Sequence, residues 1–373
     1  MTIAAARADL DGGIVETVLP LARAYPDVLA LGAHLKNTVS VIRGDRAYVS
    51  ATVGDLDTPA AMEAFEATVQ AMLTETGARP RLVAHDLHPD FHSTRFANGL
   101  GRRTLAVQHH HAHAAALMAE HRLEGPVLAL TLDGFGLGPD NQSWGGELLQ
   151  VGGTGFRRLG HLLELPQPGG DRAAREPWRM AAAALFALGR GQEIAERFAA
   201  HRHAAMLGQV LDRGVNAAPT SSCGRLFDAA CGLLNVRPVA EFEGQAPMEL
   251  EALARAPEVL PGGWRIDAAG VLDTRPLLAE LATYDAEAGA NLFHGTLAAA
   301  LAEWMRWAAD RSGITTVVLG GGCFFNAVLC GELAPRLEAA RLDARFPRLL
   351  SPGDPAISVG QALVAARTLV AEG

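Results

Sequence analysis

Between Val107 and His121 the chain reads VQHHHAHAAALMAEH, which places four histidines within the five positions from His109 to His113. Imidazole can ligate a cation, move a proton or simply donate a hydrogen bond, and spacing decides which use is open. The neighbouring alanines, leucine and methionine favour helix. On a helix His109 and His113 share a face four residues apart, His110 and His113 are three apart, and His111 points elsewhere. An i, i+4 imidazole pair on a rigid backbone can grip one cation and still leave room for carboxylates and a ligand. The run lacks the glutamate of H-E-x-x-H, so peptidase chemistry of that type has no general base here. A polar helix face would use the same letters, and H-x-x-x-H alone does not separate the two uses.

Carboxylates that could complete such a site stand at two places. Asp133, in LTLDGFG, follows a β-rich run and opens a glycine turn. Asp354, in LLSPGDPAISVG, follows the strand-like RFPRLLS and precedes a helical stretch. Either residue serves equally as a turn or cap residue. Strand ends bordering a cleft are also where α/β sites collect.

Glycine turns offer room for a phosphate. VVLGGGCFFNAVL sets Gly320, Gly321 and Gly322 between a strand and a helix start, where backbone N–H groups suit an anion. The pattern is neither a P-loop nor G-x-G-x-x-G, and a tight structural turn would read the same. In TSSCGRLFDAACGLL, Gly224 opens a helix and Asp228 lies one turn further in, placed to accept from ribose hydroxyls or to be ordinary amphipathic helix. PGGDRAAREPWRMA offers Arg172, Arg175 and Arg179 as oxyanion clamps or as surface partners of Asp171 and Glu176.

Composition bounds what these groups can belong to. The 373 residues are 49% apolar and 20% charged with a net charge of −9, a profile that disfavours a general nucleic-acid binder. The opening MTIAAARADLDGG lacks a secretory pattern, and no apolar run nears the ~20 residues of a membrane span. Cys223, Cys231, Cys323 and Cys330 form no C-x-x-C pair, so neither a zinc ribbon nor a disulfide framework is indicated. A reduced, cytoplasmic enzyme is expected. Cys323, beside the glycine turn, reads as packing rather than as a nucleophile.

The elements that must position these groups follow a repeated order. After a leader over residues 1–25 with one short helix, Val28–Leu31 and Thr38–Arg43 flank a Lys36-Asn37 turn, and RAYVSATVG reads as a third strand. A helix capped by Thr58 and a buried strand in RLVAHDLHP come next. GPVLALTLDGFGLGPDNQSWGGELLQVGG and GFRRLGHLLEL repeat the three-strand entry, and helices follow from about Asp171. The expectation is an α/β chain of two related lobes, at 26–125 and 126–373, the second carrying helical insertions, with a nucleotide between them.

These phrases, together with HDLHPDFHSTRFA, EGQAPMELE and LFHGTLA, resemble in order and context the C-terminal half of the hydrogenase-maturation carbamoyltransferase family HypF. The resemblance covers about Ala30 to the C-terminus. It is also similar to tRNA threonylcarbamoyl-transferase domains and antibiotic O-carbamoyltransferases, which share an actin-like (ASKHA) fold of two RNase H-like lobes. It implies ATP-dependent formation of carbamoyl adenylate from carbamoyl phosphate. The carbamoyl group then passes to the C-terminal cysteine of a HypE-type partner, toward cyanide ligands of the [NiFe]-hydrogenase iron. Carried over by motif, the metal ligands fall on His109, His113, Asp133 and Asp354, holding one divalent ion, iron or zinc before magnesium. Nucleotide and substrate contacts fall on Lys36, Asn37, Gly224, Asp228, Gly321 and Asn326, with Arg175 and Arg179 beside them. The acylphosphatase-like, cysteine-rich zinc and adenylate-forming domains of full-length members are not matched, so a truncated member is expected. A small-molecule O-carbamoyltransferase and a catalytically idle module that binds metal and partner stand as alternatives.

Overall fold

The computed structural model describes residues 13–373. Its first sheet is built from β1 (Val15–Ala30), β2 (Ser40–Ser50), β3 (Leu82–Asp86) and β4 (Thr104–Val107), in the order β2-β1-β3-β4. β1 and β2 form an antiparallel hairpin, and β3 and β4 extend the sheet in parallel. Three helices accompany them: α1 (Pro59–Thr76), α2 (His92–Gly99) and α3 (His109–Glu120). Thr58 caps α1 by accepting from the Ala61 N–H at 3.2 Å, and Gly77 closes it at φ 60°.

Two expectations need correction here. Strand β1 begins at Val15, inside the expected leader, so residues 15–25 of that leader are strand and carry no helix; residues 1–12 lie outside the described residues. The expected second and third strands are one strand, β2, bent at Gly44 (φ 60°), where the register with β1 shifts around Tyr25. Pro20 and Pro26 argue against a strand, but both lie in the part of β1 that has β2 on one side and no partner on the other, since only Val28–Ala30 also pair with β3.

The second sheet opens with β5 (Val127–Leu137), β6 (Ser143–Gly152), β7 (Gly155–His161) and β8 (Leu165–Pro168). Then come α4 (Asp171–Arg175), α5 (Pro177–Ala187), α6 (Ile194–Arg197), α7 (Ala204–Asp212), β9 (Ala217–Thr220), α8 (Cys223–Leu233) and α9 (Gln245–Leu253). A small ribbon, β10 (Arg265–Ile266) with β11 (Leu272–Asp273), precedes α10 (Arg275–Leu281) and the long α11 (Ala286–Ser312). β12 (Thr316–Gly320), α12 (Ala327–Ala339), β13 (Asp343–Arg345) and α13 (Ile357–Glu372) complete the chain. The sheet order is β13-β12-β5-β6-β9-β8, with β7 also on β6. The strand-like RFPRLLS is loop beyond Arg345, and Asp354 opens a single 3-10 turn before α13.

The α/β, actin-like architecture is as expected, two sheets of RNase H-like strand order. α13 departs from the chain division, because it packs on α3 and on β1, β2 and β3 of the first sheet. Contact is backbone-close: a Cβ at Gly360 would fall 1.8 Å from the Ala112 carbonyl oxygen. Among the described residues no helix is long and apolar enough to cross a membrane.

Candidate metal and nucleotide site

α3 starts where β4 ends, at the edge of the first sheet facing the second. The Gln108 side chain caps it by accepting from the His111 N–H at 2.9 Å, which fixes His109 in the first turn. The β5–β6 pairing breaks register between Leu132 and Gly136, and this irregularity carries Asp133. One oxygen of Asp133 accepts from the Gly134 N–H at 2.7 Å and the Gly322 N–H at 3.3 Å. Its other oxygen lies 2.8 Å from Nε2 of His113 and 3.5 Å from Nε2 of His109. Asp354, brought by the turn before α13, stands 3.6 Å from His109 Nε2. One ligand atom each from His109, His113, Asp133 and Asp354 therefore fits within a 4.8 Å span.

This cluster fits a cation. His109 Nε2 is buried and has no hydrogen-bond partner, while two carboxylates face it. Asp133 is buried and Asp354 half-buried, and beside neutral imidazoles their negative charges would stand uncompensated, which a divalent ion offsets. Without an ion, protons take that role. Burial alone would lower the His109 pKa, but the carboxylates of Asp133, Asp354 and Asp86 hold it well above its ordinary value. Burial likewise would raise Asp133, yet His109 and His113 hold it well below the usual carboxylate range.

The other two histidines of the run are excluded by position. His110 turns toward Trp144, its Nδ1 accepting from the Gln108 amide at 3.0 Å, and burial with His109 nearby pushes its pKa well down. His111 packs on Phe156, and burial and Arg367 lower it to about 4.

A cavity of about 740 Å³ opens from the cluster and includes Asp133 and Asp354 in its wall. That volume is in the range of small-molecule and cofactor sites. Gly224 and Asp228, on the first turns of α8, line it. Gly224 is needed where it stands, since a Cβ would come within 2.9 Å of Gly134 Cα. Burial raises the Asp228 carboxyl to about 6, a shift that Arg225, 2.7 Å away, only partly offsets. Lys36 enters from the first lobe in a left-handed conformation (φ 44°) and meets Glu243 at 3.2 Å. Arg175 also borders the cavity.

Of the remaining expected contacts, only Asn326 borders the cavity. Asn37 is fully buried, and its amide donates to the Leu31 and Ala33 carbonyls at 2.8 and 2.7 Å, bracing the turn that presents Lys36. Arg179 pairs with Glu176 at 2.5 Å and lies over Trp178 instead of facing the cavity. Gly322, not Gly321, borders the cavity; Gly321 packs where a Cβ would meet the Leu132 carbonyl at 2.3 Å. Asn326 reaches the wall but caps α12 through the Leu329 N–H and donates to His294. Cys323 also touches the cavity; contact with the Cys223 thiol and burial push its thiol pKa well up, which disfavours a thiolate there.

Two parts of the site escaped sequence reasoning. The loop carrying Glu241, Phe242 and Glu243 into α9 forms one wall, although EGQAPMELE had shown only a phrase without a role. Asp86, from HDLHPD, holds the far nitrogen of His109 at 2.8 Å. Neither could be placed without knowing which strand ends converge.

Residues 23–120 match the family model described as the HypF Kae1-like domain, and residues 129–361 match the one described as the second subdomain of the Kae1-like carbamoyltransferase domain. Carbamoyltransferase HypF2 of Cupriavidus necator is 49% identical over 95% of this chain and 48% of its own length. The carbamoyltransferase HypF homolog of the same organism is 46% identical over 94% of both chains. A crystal structure of full-length HypF in a phosphate- and nucleotide-bound form superposes with a TM-score of 0.88 at 31% identity, over 95% of this chain and 48% of that one. The chain thus spans about half the length of HypF2 and of that crystallised HypF, and nearly all of the HypF homolog. With both halves of the Kae1-like unit matched and the strand plan superposed, the chain belongs to the HypF carbamoyltransferase family.

Proposed function

We propose that this chain transfers a carbamoyl group from carbamoyl adenylate, made from carbamoyl phosphate and ATP, to the C-terminal cysteine of a HypE-type partner. The observation that carries this reading is the four-residue cluster at the end of the nucleotide-sized cavity. Asp228 would accept from the ribose hydroxyls and Gly224 would admit the sugar close to α8. Lys36 and Arg175 supply positive charge at the mouth for phosphate oxygens. His109, His113, Asp133 and Asp354 would hold the ion, iron or zinc before magnesium. Such an ion, when bound, supplies Lewis-acid polarisation of the carbonyl and offsets phosphate charge. In the transfer the partner's thiolate sulfur bonds to the carbamoyl carbon, the bond from that carbon to the AMP phosphate oxygen breaks, and AMP leaves. The nucleophile is external, which accords with the raised thiol of Cys323.

A cytoplasmic setting and a division into two lobes near residue 126 belong to the same reading, with α13 returned to the first lobe. The test is to incubate the chain with ATP, carbamoyl phosphate and partner protein and to weigh the partner. A carbamoyl mass on its C-terminal cysteine is expected. Supplying carbamoyl adenylate directly tests the transfer step by itself. A small alcohol modified in place of the partner would instead indicate an O-carbamoyltransferase. An unmodified partner that still binds would indicate an idle module.

A further inference from the structure

The two imidazoles of the cluster are held in different ways. His113 has Nε2 against Asp133, while its buried Nδ1 has no partner. His109 has its Nδ1 2.8 Å from Oδ2 of Asp86, and its bare Nε2 looks into the cluster. Asp86 ends β3, is 1% exposed, and is fixed on every side. Its backbone pairs with Val107 of β4, its carbonyl accepts from Thr94 Oγ1 at 3.1 Å, and its Oδ1 accepts from the His88 N–H at 2.9 Å. With both oxygens committed, the carboxylate cannot swing away from His109.

We propose that Asp86 is a positioning residue: it accepts the hydrogen bond of the His109 Nδ1–H, setting the ring's tautomer and angle so that Nε2 alone faces the cation. The proposal rests on the metal reading above. A ring nitrogen becomes a ligand only when its lone pair is free, and a fixed acceptor on the opposite nitrogen selects that tautomer. His113, lacking such an acceptor, is the adjustable ligand of the pair. The competing role for Asp86 is a buried bond that only ties β3 to α3. That role would affect stability and leave ligation untouched.

Zinc ion serves as the probe, with the full chain, competition against a chromophoric chelator and ¹⁵N-histidine NMR. In the zinc-loaded wild type, His109 is expected to keep its Nδ1 proton and to carry the metal on Nε2. D86N should bind zinc about 10–100-fold more weakly. The introduced amide has one acceptor for two donors. With its oxygen kept on the His88 N–H, its NH₂ faces Nδ1 and drives the ring to the Nε2–H tautomer. Zinc affinity of D86N within twofold of wild type, or zinc on Nδ1 of His109 in the wild type, would overturn the proposal. The second of these is read without any variant, so it decides the matter even if D86N does not fold. A wild type that binds no zinc, iron or magnesium overturns the metal reading as well, which distinguishes that failure from failure of Asp86 alone.

Discussion

Strands β4-β3-β1-β2 of the first sheet and β13-β12-β5-β6-β7 of the second run in the same relative senses, which makes β1–β2 the counterpart of β5–β6. The two hairpins are used differently. After β1, Asn37 spends its side chain on backbone carbonyls and leaves Lys36 as the group that reaches the cavity. At the end of β5 the register break turns a carboxylate onto α3. The first unit carries four strands and borrows α13 for its cover, whereas the second has a fifth strand on that plan and a long helical excursion that walls the cavity. The first unit thus supplies the helix with the imidazoles and lends Lys36 to the cavity, and the second supplies Asp133 and most of the pocket wall. A site assembled this way exists only while both units are docked.

The sharpest way to break that division is to remove one ligand from each side. H113A from the first unit and D133N from the second should each weaken zinc binding by about a hundredfold or more. Four-ligand zinc sites in folding peptides are worth about 10–16 kcal/mol, so one ligand's share is on the order of 3 kcal/mol. Chelator competition reads this directly, and carbamoyl transfer should fall with it. If only the histidine variant lost affinity, the carboxylates would be serving the fold and not the ion.

Next in size is the borrowed cover. G360L places a side chain against the Ala112 carbonyl, where even a Cβ would be 1.8 Å away, and should cost about 2 kcal/mol or more of stability. Denaturant unfolding followed at Trp144, buried beside α3 in the core shared with α13, would report it. Zinc affinity should drop in parallel, because α3 carries both histidines. Unchanged affinity in a clearly destabilised variant would mean that the cluster does not need α13.

Much of this was legible in the letters, and the exceptions have physical causes. The alanine-rich run around His109, the Thr58 cap and the β5–β7 strands read correctly because local propensity and tertiary packing agree there. The C-terminal end of β1 is legible at Val28, but its first part, Val15–Tyr25, is held by pairing with β2, a partner that local sequence does not reveal. Spacing left His110 open as a partner of His113; in the fold its Nδ1 meets the Gln108 amide and it lies outside the four-residue cluster. Asn37 and Arg179 were sensible contacts by type, but each is consumed by neighbours that only the folded chain brings near.

A smaller effect follows from Asp228. Its carboxyl sits at about 6, above the 3.8 of an exposed aspartate, so between those values the folded chain binds a proton that the unfolded chain has lost. Stability therefore falls as pH rises through that window. Nucleotide affinity should run the opposite way, because ribose hydroxyls donate best to the ionised carboxylate. Affinity measured by calorimetry should decline several-fold from pH 7.5 to pH 5, and D228N should bind more weakly with that pH dependence removed. A slope that survives in D228N would assign the proton to another group.

The smallest expected effect concerns a bridge at the cavity wall, Lys36 to Glu243. Burial alone would lower the Lys36 pKa, but Glu243 raises it, so the amine stays charged and paired. Its side chain is 51% exposed and that of Glu243 is 64%, and exposed pairs typically contribute about 0.2–1 kcal/mol. E243Q should therefore leave the unfolding midpoint almost unchanged. The same substitution frees Lys36 for an incoming anion, so phosphate and carbamoyl phosphate should bind about twofold more tightly at low salt, a gain that salt erases. A large loss of stability in E243Q would reverse the assignment of roles. It would mean that the units are held together across the mouth rather than by α13 and α3 behind it, and that Lys36 is part of the clasp before it is part of the site.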